Sequence, residues 1–297
     1  MPPYALRRHR AHRRQLCRQT VRQAQQAGTG EHAGSAATEL SPGDEVIGYL
    51  RGDVQRAHGG LAELVSADVR TPVHKPRTMS FAEAAGLPLA GLTAYRAVVR
   101  ALRVRQGETL LVHGAAGGVG SLAAQIGRAR GARVVGTASA RDHAYLRSLG
   151  VLPVAYGEGV AQRVLGVPAG ADAVLDTVGG GTLVSAAGTV RPGGRVASVA
   201  ETGLPGVVPV FCRLGGDDLK AVAELADAGR LRVRVGATFP LERAAEAQGV
   251  LAAGGTRGNV VVAMGADPPR GRPWGSAGAP YGRRGRRPPC PAAPDAG

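Results

Sequence analysis

An α/β fold built on a doubly wound parallel sheet is predicted by two features of the sequence. From Thr109 onward, apolar strand-like runs alternate with helical stretches, and the apolar residues are mainly Ala, Val and Leu, with aromatics at only 3%. Alternating strand and helix is the pattern of parallel strands joined by right-handed crossovers. A core of small aliphatic side chains suits strands covered by helices on both faces. At 297 residues the chain has room for one large or two ordinary domains, each able to bury a core.

Taken in order, residues 1–40 carry no strand alternation, and only a polar Gln/Arg stretch around Arg18 to Gln26 hints at a helix. This segment is expected to be poorly ordered. Ser41-Pro42-Gly43-Asp44 reads as a turn, Glu45 to Leu50 as a strand, Gly59-Gly60 as a bend and Leu61 to Ser66 as a further strand. Ser80 and Glu83 form a capping box that opens a helix, which Pro88 interrupts before another near Gly91 to Leu102.

Strands are then predicted at Thr109 to His113, Ala132 to Thr137, Asp172 to Thr177 and Arg195 to Val199. Helices are predicted at Gly118 to Arg130, Arg141 to Leu149, Thr182 to Ala187, Asp217 to Ala228 and Leu241 to Ala252, before a closing strand at Asn259 to Ala263. Beyond Asp267 the chain turns to Pro, Gly and Arg, too poor in aliphatics to bury a core, so 265–297 is expected to be disordered.

The formal charge of +15 is unevenly spread. Residues 1–37 hold +6 and residues 265–297 hold +4, which leaves +5 for the middle. With lysine only at 75 and 220, the arginine excess reads as GC-rich coding, and no aromatic pattern accompanies it for stacking on bases. A nucleic-acid partner is therefore not expected. Cys17, Cys212 and Cys290 make no even set and no C-x-x-C pair, which fits a reducing cytoplasm, and no apolar run of about 18 residues indicates a membrane span.

The first chemical signal is Gly114-Ala115-Ala116-Gly117-Gly118-Val119-Gly120, placed directly between an apolar strand and an amphipathic helix. In that setting glycines admit a pyrophosphate to the backbone, and free N–H groups with the helix dipole stabilise its charge. The alternative is a tight strand-to-helix turn that binds nothing. In a Rossmann-type site the end of the second strand selects the nicotinamide cofactor, and a carboxylate there would favour NAD. Here it reads Thr137-Ala138-Ser139-Ala140-Arg141, and Ser139 and Arg141 can donate to a 2′-phosphate, which favours NADPH; the alternative is a solvated Arg141.

Phe81-Ala82-Glu83-Ala84-Ala85-Gly86-Leu87-Pro88-Leu89-Ala90-Gly91-Leu92-Thr93-Ala94-Tyr95, followed by His113-Gly114-Ala115-Ala116-Gly117-Gly118-Val119-Gly120, resembles the zinc-independent quinone reductases of the medium-chain dehydrogenase/reductase superfamily. Further matches are Gly136-Thr137-Ala138-Ser139-Ala140-Arg141, Asp176-Thr177-Val178-Gly179-Gly180, Arg191-Pro192-Gly193-Gly194-Arg195 and Asp227-Ala228-Gly229-Arg230-Leu231. The resemblance covers about Ser41 to Met264. It implies a GroES-like β-barrel beside a Rossmann-type domain, with hydride passed from NADPH to a quinone, enone or similar electrophile.

By the same resemblance, Ala115, Gly117, Gly118, Val119 and Gly120 would line the pyrophosphate, Ser139 and Arg141 the 2′-phosphate, Asp176 and Val178 the cofactor wall, and Thr93 the nicotinamide. Tyr49, after Gly43-Asp44-Glu45-Val46, is the candidate to polarise a carbonyl, against packing as a barrel tyrosine. His113 reads as a strand-end histidine more than an acid or base. No metal site is expected, since the Cys, His and Glu sets of zinc-binding relatives are missing and Gly30-Glu31-His32 supplies only two donors.

The implied domains are a partial GroES-like unit at 41–100, a Rossmann-type unit at 101–240 and a closing helix and strand at 241–264. The barrel strands that should precede Gly43 are not legible. A second reading follows, a catalytically impaired dinucleotide-binding protein from a truncated or frameshifted reading frame. Homodimerisation through an edge strand near Val207 to Cys212 is a further expectation, weakened by Pro209.

Overall fold

The computed structural model describes residues 4–6, 23–34, 38–51, 60–62, 65–157, 159–165, 170–185, 188–213 and 215–264. The expected disorder of 265–297, and of most of the first 22 residues, lies outside them.

An antiparallel sheet comes first, formed by β1 (Tyr4–Leu6), β2 (Gln23–His32), β3 (Glu45–Arg51), β4 (Val65–Ala67) and β5 (Pro72–His74) in the order β4-β1-β2-β3-β5. β2 corrects the reading of residues 1–40 as strandless. It pairs with β3 in continuous register from Gln23 opposite Arg51 to Thr29 opposite Glu45. Its sequence QAQQAGTGEH has no apolar alternation, so backbone hydrogen bonds, not a hydrophobic face, mark it as a strand. On β3, Ile47 and Tyr49 enter the main core while Val46 and Leu50 pack with Leu40 and Val65, as the two-residue period of a strand requires.

The capping box is formed as read: the Ser80 hydroxyl accepts from the Glu83 N–H, and the Glu83 carboxylate accepts from the Ser80 N–H, opening α1 (Phe81–Ala84). Pro88 begins α2 (Pro88–Tyr95) at its first turn, where a missing N–H costs nothing, and so starts that helix instead of interrupting one. A π-helical stretch, Arg96–Ala101, follows.

The second sheet contains β6 (Thr109–His113), β7 (Arg133–Ala138), β8 (Leu152–Ala155), β9 (Ala171–Asp176), β10 (Val190–Ser198) and β11 (Val207–Pro209), all parallel, in the order β11-β10-β9-β6-β7-β8. Between its strands run α3 (Gly118–Ala129), α4 (His143–Ser148), α5 (Val160–Leu165) and α6 (Thr182–Ser185). Every residue of β6 and β9 is buried. Leu110 and Val112 pack with Leu122 and Ile126 of α3 on one face, while Leu111 packs with Val135, Val160 and Val164 on the other. This is the doubly wound α/β sheet expected. Strand order reverses between β9 and β6, so their carboxyl ends flank the crevice where such sheets bind ligands.

The chain closes with α7 (Gly216–Asp227), β12 (Val235–Pro240), α8 (Ala244–Ala253) and β13 (Asn259–Ala263), β12 and β13 forming a parallel pair. No helix among the described residues is long and apolar enough to cross a membrane.

Candidate functional site

The switch point is built by the loop between β6 and α3. Gly114 has φ +72°, a conformation open to glycine, and its N–H donates to the Thr137 hydroxyl at 3.2 Å. The Ala115 N–H donates to the Thr137 carbonyl and the Gly117 N–H to the Gly114 carbonyl, each at 3.0 Å. A Cβ on Gly120 would lie 2.2 Å from the Gly114 carbonyl oxygen, so only glycine lets the helix start this close to the strand. The N–H groups of Gly118, Val119 and Gly120, in the first turn of α3, donate to no protein acceptor among the described residues. Three unclaimed donors at the positive end of a twelve-residue helix, beside bare glycine backbone, fit a pyrophosphate. Ala115 is fully buried, and its N–H is already used on the Thr137 carbonyl, so it supports the loop from behind.

The neighbouring loop after β9 is organised by Asp176, which is 0% exposed and is the register partner of His113. Its carboxylate accepts from the Val178 and Gly179 N–H groups and from the Ser198 hydroxyl at 2.8 Å. With its oxygens used in this way, Asp176 holds the turn in place. Val178, at 58% exposure, is what the turn displays. A Cβ on Gly114 would meet Thr177 and Val178 at 2.7 Å, so the two loops are in direct contact.

At the end of β7 the charges converge on Asp142. Its carboxylate accepts from Arg234 at 3.1 Å and from the Ser139 hydroxyl at 3.2 Å, with Arg141 at 3.6 Å and Arg257 at 3.7 Å. Burial pushes the Asp142 carboxyl up, but the Arg234 and Ser139 hydrogen bonds and the charges of Arg234 and Arg257 together hold it below the ordinary carboxylate range. Arg234 also stacks over Tyr145, 4.6 Å from the ring centroid. A cavity of about 480 Å³ shares Tyr145 and Arg234 with this cluster but includes no residue of the 114–120 loop.

The structure places Arg234 and Arg257 around Asp142 beside Ser139 and Arg141, with Asn259 bonded to Arg234, and no local motif in the sequence announces these three. Asn259 links the two sites: its side-chain oxygen would lie 3.5 Å from a Cβ on Gly118, and its N–H donates to the Arg234 carbonyl at 2.8 Å.

The two catalytic candidates face inward. Tyr49 is 1% exposed in the core cluster with Met79 and Leu87. The Thr93 hydroxyl donates to the Leu89 carbonyl at 2.7 Å within α2, which packs on α3. The His113 imidazole, 1% exposed, lies 3.3 Å from the Thr137 hydroxyl, and burial lowers its pKa against a weaker upward pull from Asp176. Among the described residues no group of three or more His, Cys, Asp or Glu side chains is placed to hold a metal ion.

Comparison with known proteins agrees with this architecture. The family described as "Zinc-binding dehydrogenase" matches residues 153–262. The chain is 33% identical to pikromycin polyketide synthase component PikAII of Streptomyces venezuelae over 82% of its own length, but spans only 7% of that protein. It is 33% identical to the chloroplastic NADPH-dependent alkenal/one oxidoreductase of Arabidopsis thaliana, covering 80% of this chain and 62% of that one. A solved alcohol dehydrogenase superfamily protein from Novosphingobium aromaticivorans superposes with a TM-score of 0.75 at 29% identity, covering 81% of each chain. Quinone oxidoreductase of Pseudomonas aeruginosa is 32% identical over 80% of this chain and 79% of its own, and with that match the chain belongs to the medium-chain dehydrogenase/reductase superfamily.

Proposed function

We propose that the chain is a zinc-independent reductase that uses NADPH to reduce a quinone, an enone or a similar small electrophile. The observation that carries this reading is the loop at the β6–α3 switch point, with the Gly118, Val119 and Gly120 N–H groups unclaimed and the guanidinium cluster at the end of β7. The names of the alkenal/one and quinone oxidoreductases among its relatives supply the acceptor class.

Bound NADPH would supply the hydride. On this reading Gly117, Gly118, Val119 and Gly120 take the pyrophosphate by backbone donation, Ser139 and Arg141 the 2′-phosphate, and Val178 packs against the cofactor. Thr93 keeps a positioning role, since its hydroxyl is bonded within α2. Residues 101–240 act as the dinucleotide-binding unit, and 41–100 with 241–264 form the acceptor side. The same proposal includes a reducing cytoplasmic setting and a homodimer through the edge strand β11, which light scattering of the purified chain would test.

A second reading is favoured by the inward placement of Tyr49 and Thr93: a protein that binds the dinucleotide without turning it over. One experiment separates the two. The chain is titrated with NADPH and NADH while nicotinamide fluorescence and melting temperature are followed, and quinones and enones are then added. Binding followed by loss of NADPH absorbance supports the reductase, binding without oxidation supports the silent binder, and no binding of either dinucleotide rejects both.

A further inference from the structure

We infer that Arg234 and Arg257, carried by the segments leading into β12 and β13, complete the site that reads the cofactor's 2′-phosphate and thereby set its preference for NADPH. This inference rests on the dinucleotide-reductase reading above.

Three guanidinium groups around the single carboxylate of Asp142 leave a local charge of +2, the complement of a phosphate monoester dianion. Among the described residues, only Arg234 and the Ser139 hydroxyl hydrogen-bond the Asp142 carboxylate. Arg141 and Arg257, at 3.6 and 3.7 Å, converge on it without a hydrogen bond, and both are about half exposed. Their donors are therefore available to a ligand arriving from solvent, whereas a purely structural ion cluster would use them on the carboxylate.

The position also fits. The Asn259 side chain lies beside Gly118, where an added Cβ would be 3.5 Å from its oxygen, the Asn259 N–H bonds the Arg234 carbonyl, and Arg234 bonds Asp142, which places the cluster next to the pyrophosphate loop. Two glycines make the convergence possible. A Cβ on Gly236 would lie 2.5 Å from the Arg257 carbonyl oxygen, and one on Gly258, at φ +108°, would lie 2.3 Å from that of Arg234. The backbones of the two arginine-bearing segments thus meet at a glycine on each. Asp142 acts as a positioning residue that holds Arg234 in place.

The test is equilibrium binding of NADPH, NADH and adenosine 2′,5′-bisphosphate to the unmodified chain and to Arg234→Gln and Arg257→Gln, with melting curves for each. The expected result is that the unmodified chain prefers NADPH, and that each variant weakens NADPH and the bisphosphate by roughly 10-fold while leaving NADH unchanged. A preference for NADPH that survives in both variants overturns the inference but leaves the reductase reading standing. Equal loss of NADPH and NADH also overturns it, since the arginines would then be structural. An unmodified chain that binds NADH as well as NADPH overturns both this inference and the NADPH reading. Should Arg234→Gln fail to fold, Arg257→Gln, whose side chain is 46% exposed, carries the test alone.

Discussion

The loops after β6 and β9 leave adjacent strands at the same level, His113 opposite Asp176, and touch each other, yet they satisfy their backbones in opposite ways. After β9 a buried carboxylate consumes the nearby N–H groups. After β6 there is no such side chain, and three N–H groups at the head of α3 are left for something from outside. In two loops of similar composition, the one whose donors remain unspent is the one equipped to bind an anion, and glycine content alone does not distinguish them.

That contrast can be broken at several points. The largest effect is expected from Gly120→Val: with a carbonyl oxygen 2.2 Å from the new Cβ, α3 must move away from β6, at a cost of about 3 kcal/mol or more by urea unfolding. An unfolding midpoint equal to the parent's would show that the strand and helix are not held this closely. Asp176→Ala strands two N–H groups and the Ser198 hydroxyl in a site 0% exposed, and should cost about 2–3 kcal/mol in the same assay. It should also leave the Gly114 loop's dinucleotide affinity reduced, because the Thr177–Val178 turn braces it.

A smaller, pH-dependent effect comes from His113. Burial depresses its folded-state pKa below the ordinary value near 6.5, so between the two values the unfolded chain binds a proton that the folded chain does not. Stability should therefore fall as pH drops below about 6.5, and His113→Gln should flatten that part of the melting profile. A profile unchanged by the substitution would locate the acid sensitivity elsewhere. Smallest of all, Gly118→Ala puts a Cβ at ordinary contact distance from Asn259, and its stability should stay within about 0.5 kcal/mol of the parent. A large loss there would mean the loop's glycines are needed for packing and not for access.

The parts legible in the sequence are those whose signal is local. β6 was readable because its five residues are all apolar or strand-ending and all buried, and the glycine loop because it sits directly between that strand and α3. β2 was not readable because Gln, Ala and Gly can be held in a strand by ladder hydrogen bonds alone. Strand β12, VGATFP, likewise lacks a clean apolar alternation and went unread. The hydrogen bonds that Asp176 accepts from Val178, Gly179 and Ser198 are not legible either, because residue type does not disclose which donors surround a carboxylate. Arg234 lies 92 residues from Asp142, and only the closing segment's return to β7 brings them together.

The glycine pair 236 and 258 gives this last point a wider meaning. The cationic cluster owes its charge to side chains that are present, but its spacing to two that are absent. A methyl group added at either glycine would act as a wedge against the backbone that carries Arg234 or Arg257. A loss of cofactor discrimination could thus arise in a relative that retains all of the arginines, and a survey of charged residues alone would pass over its cause.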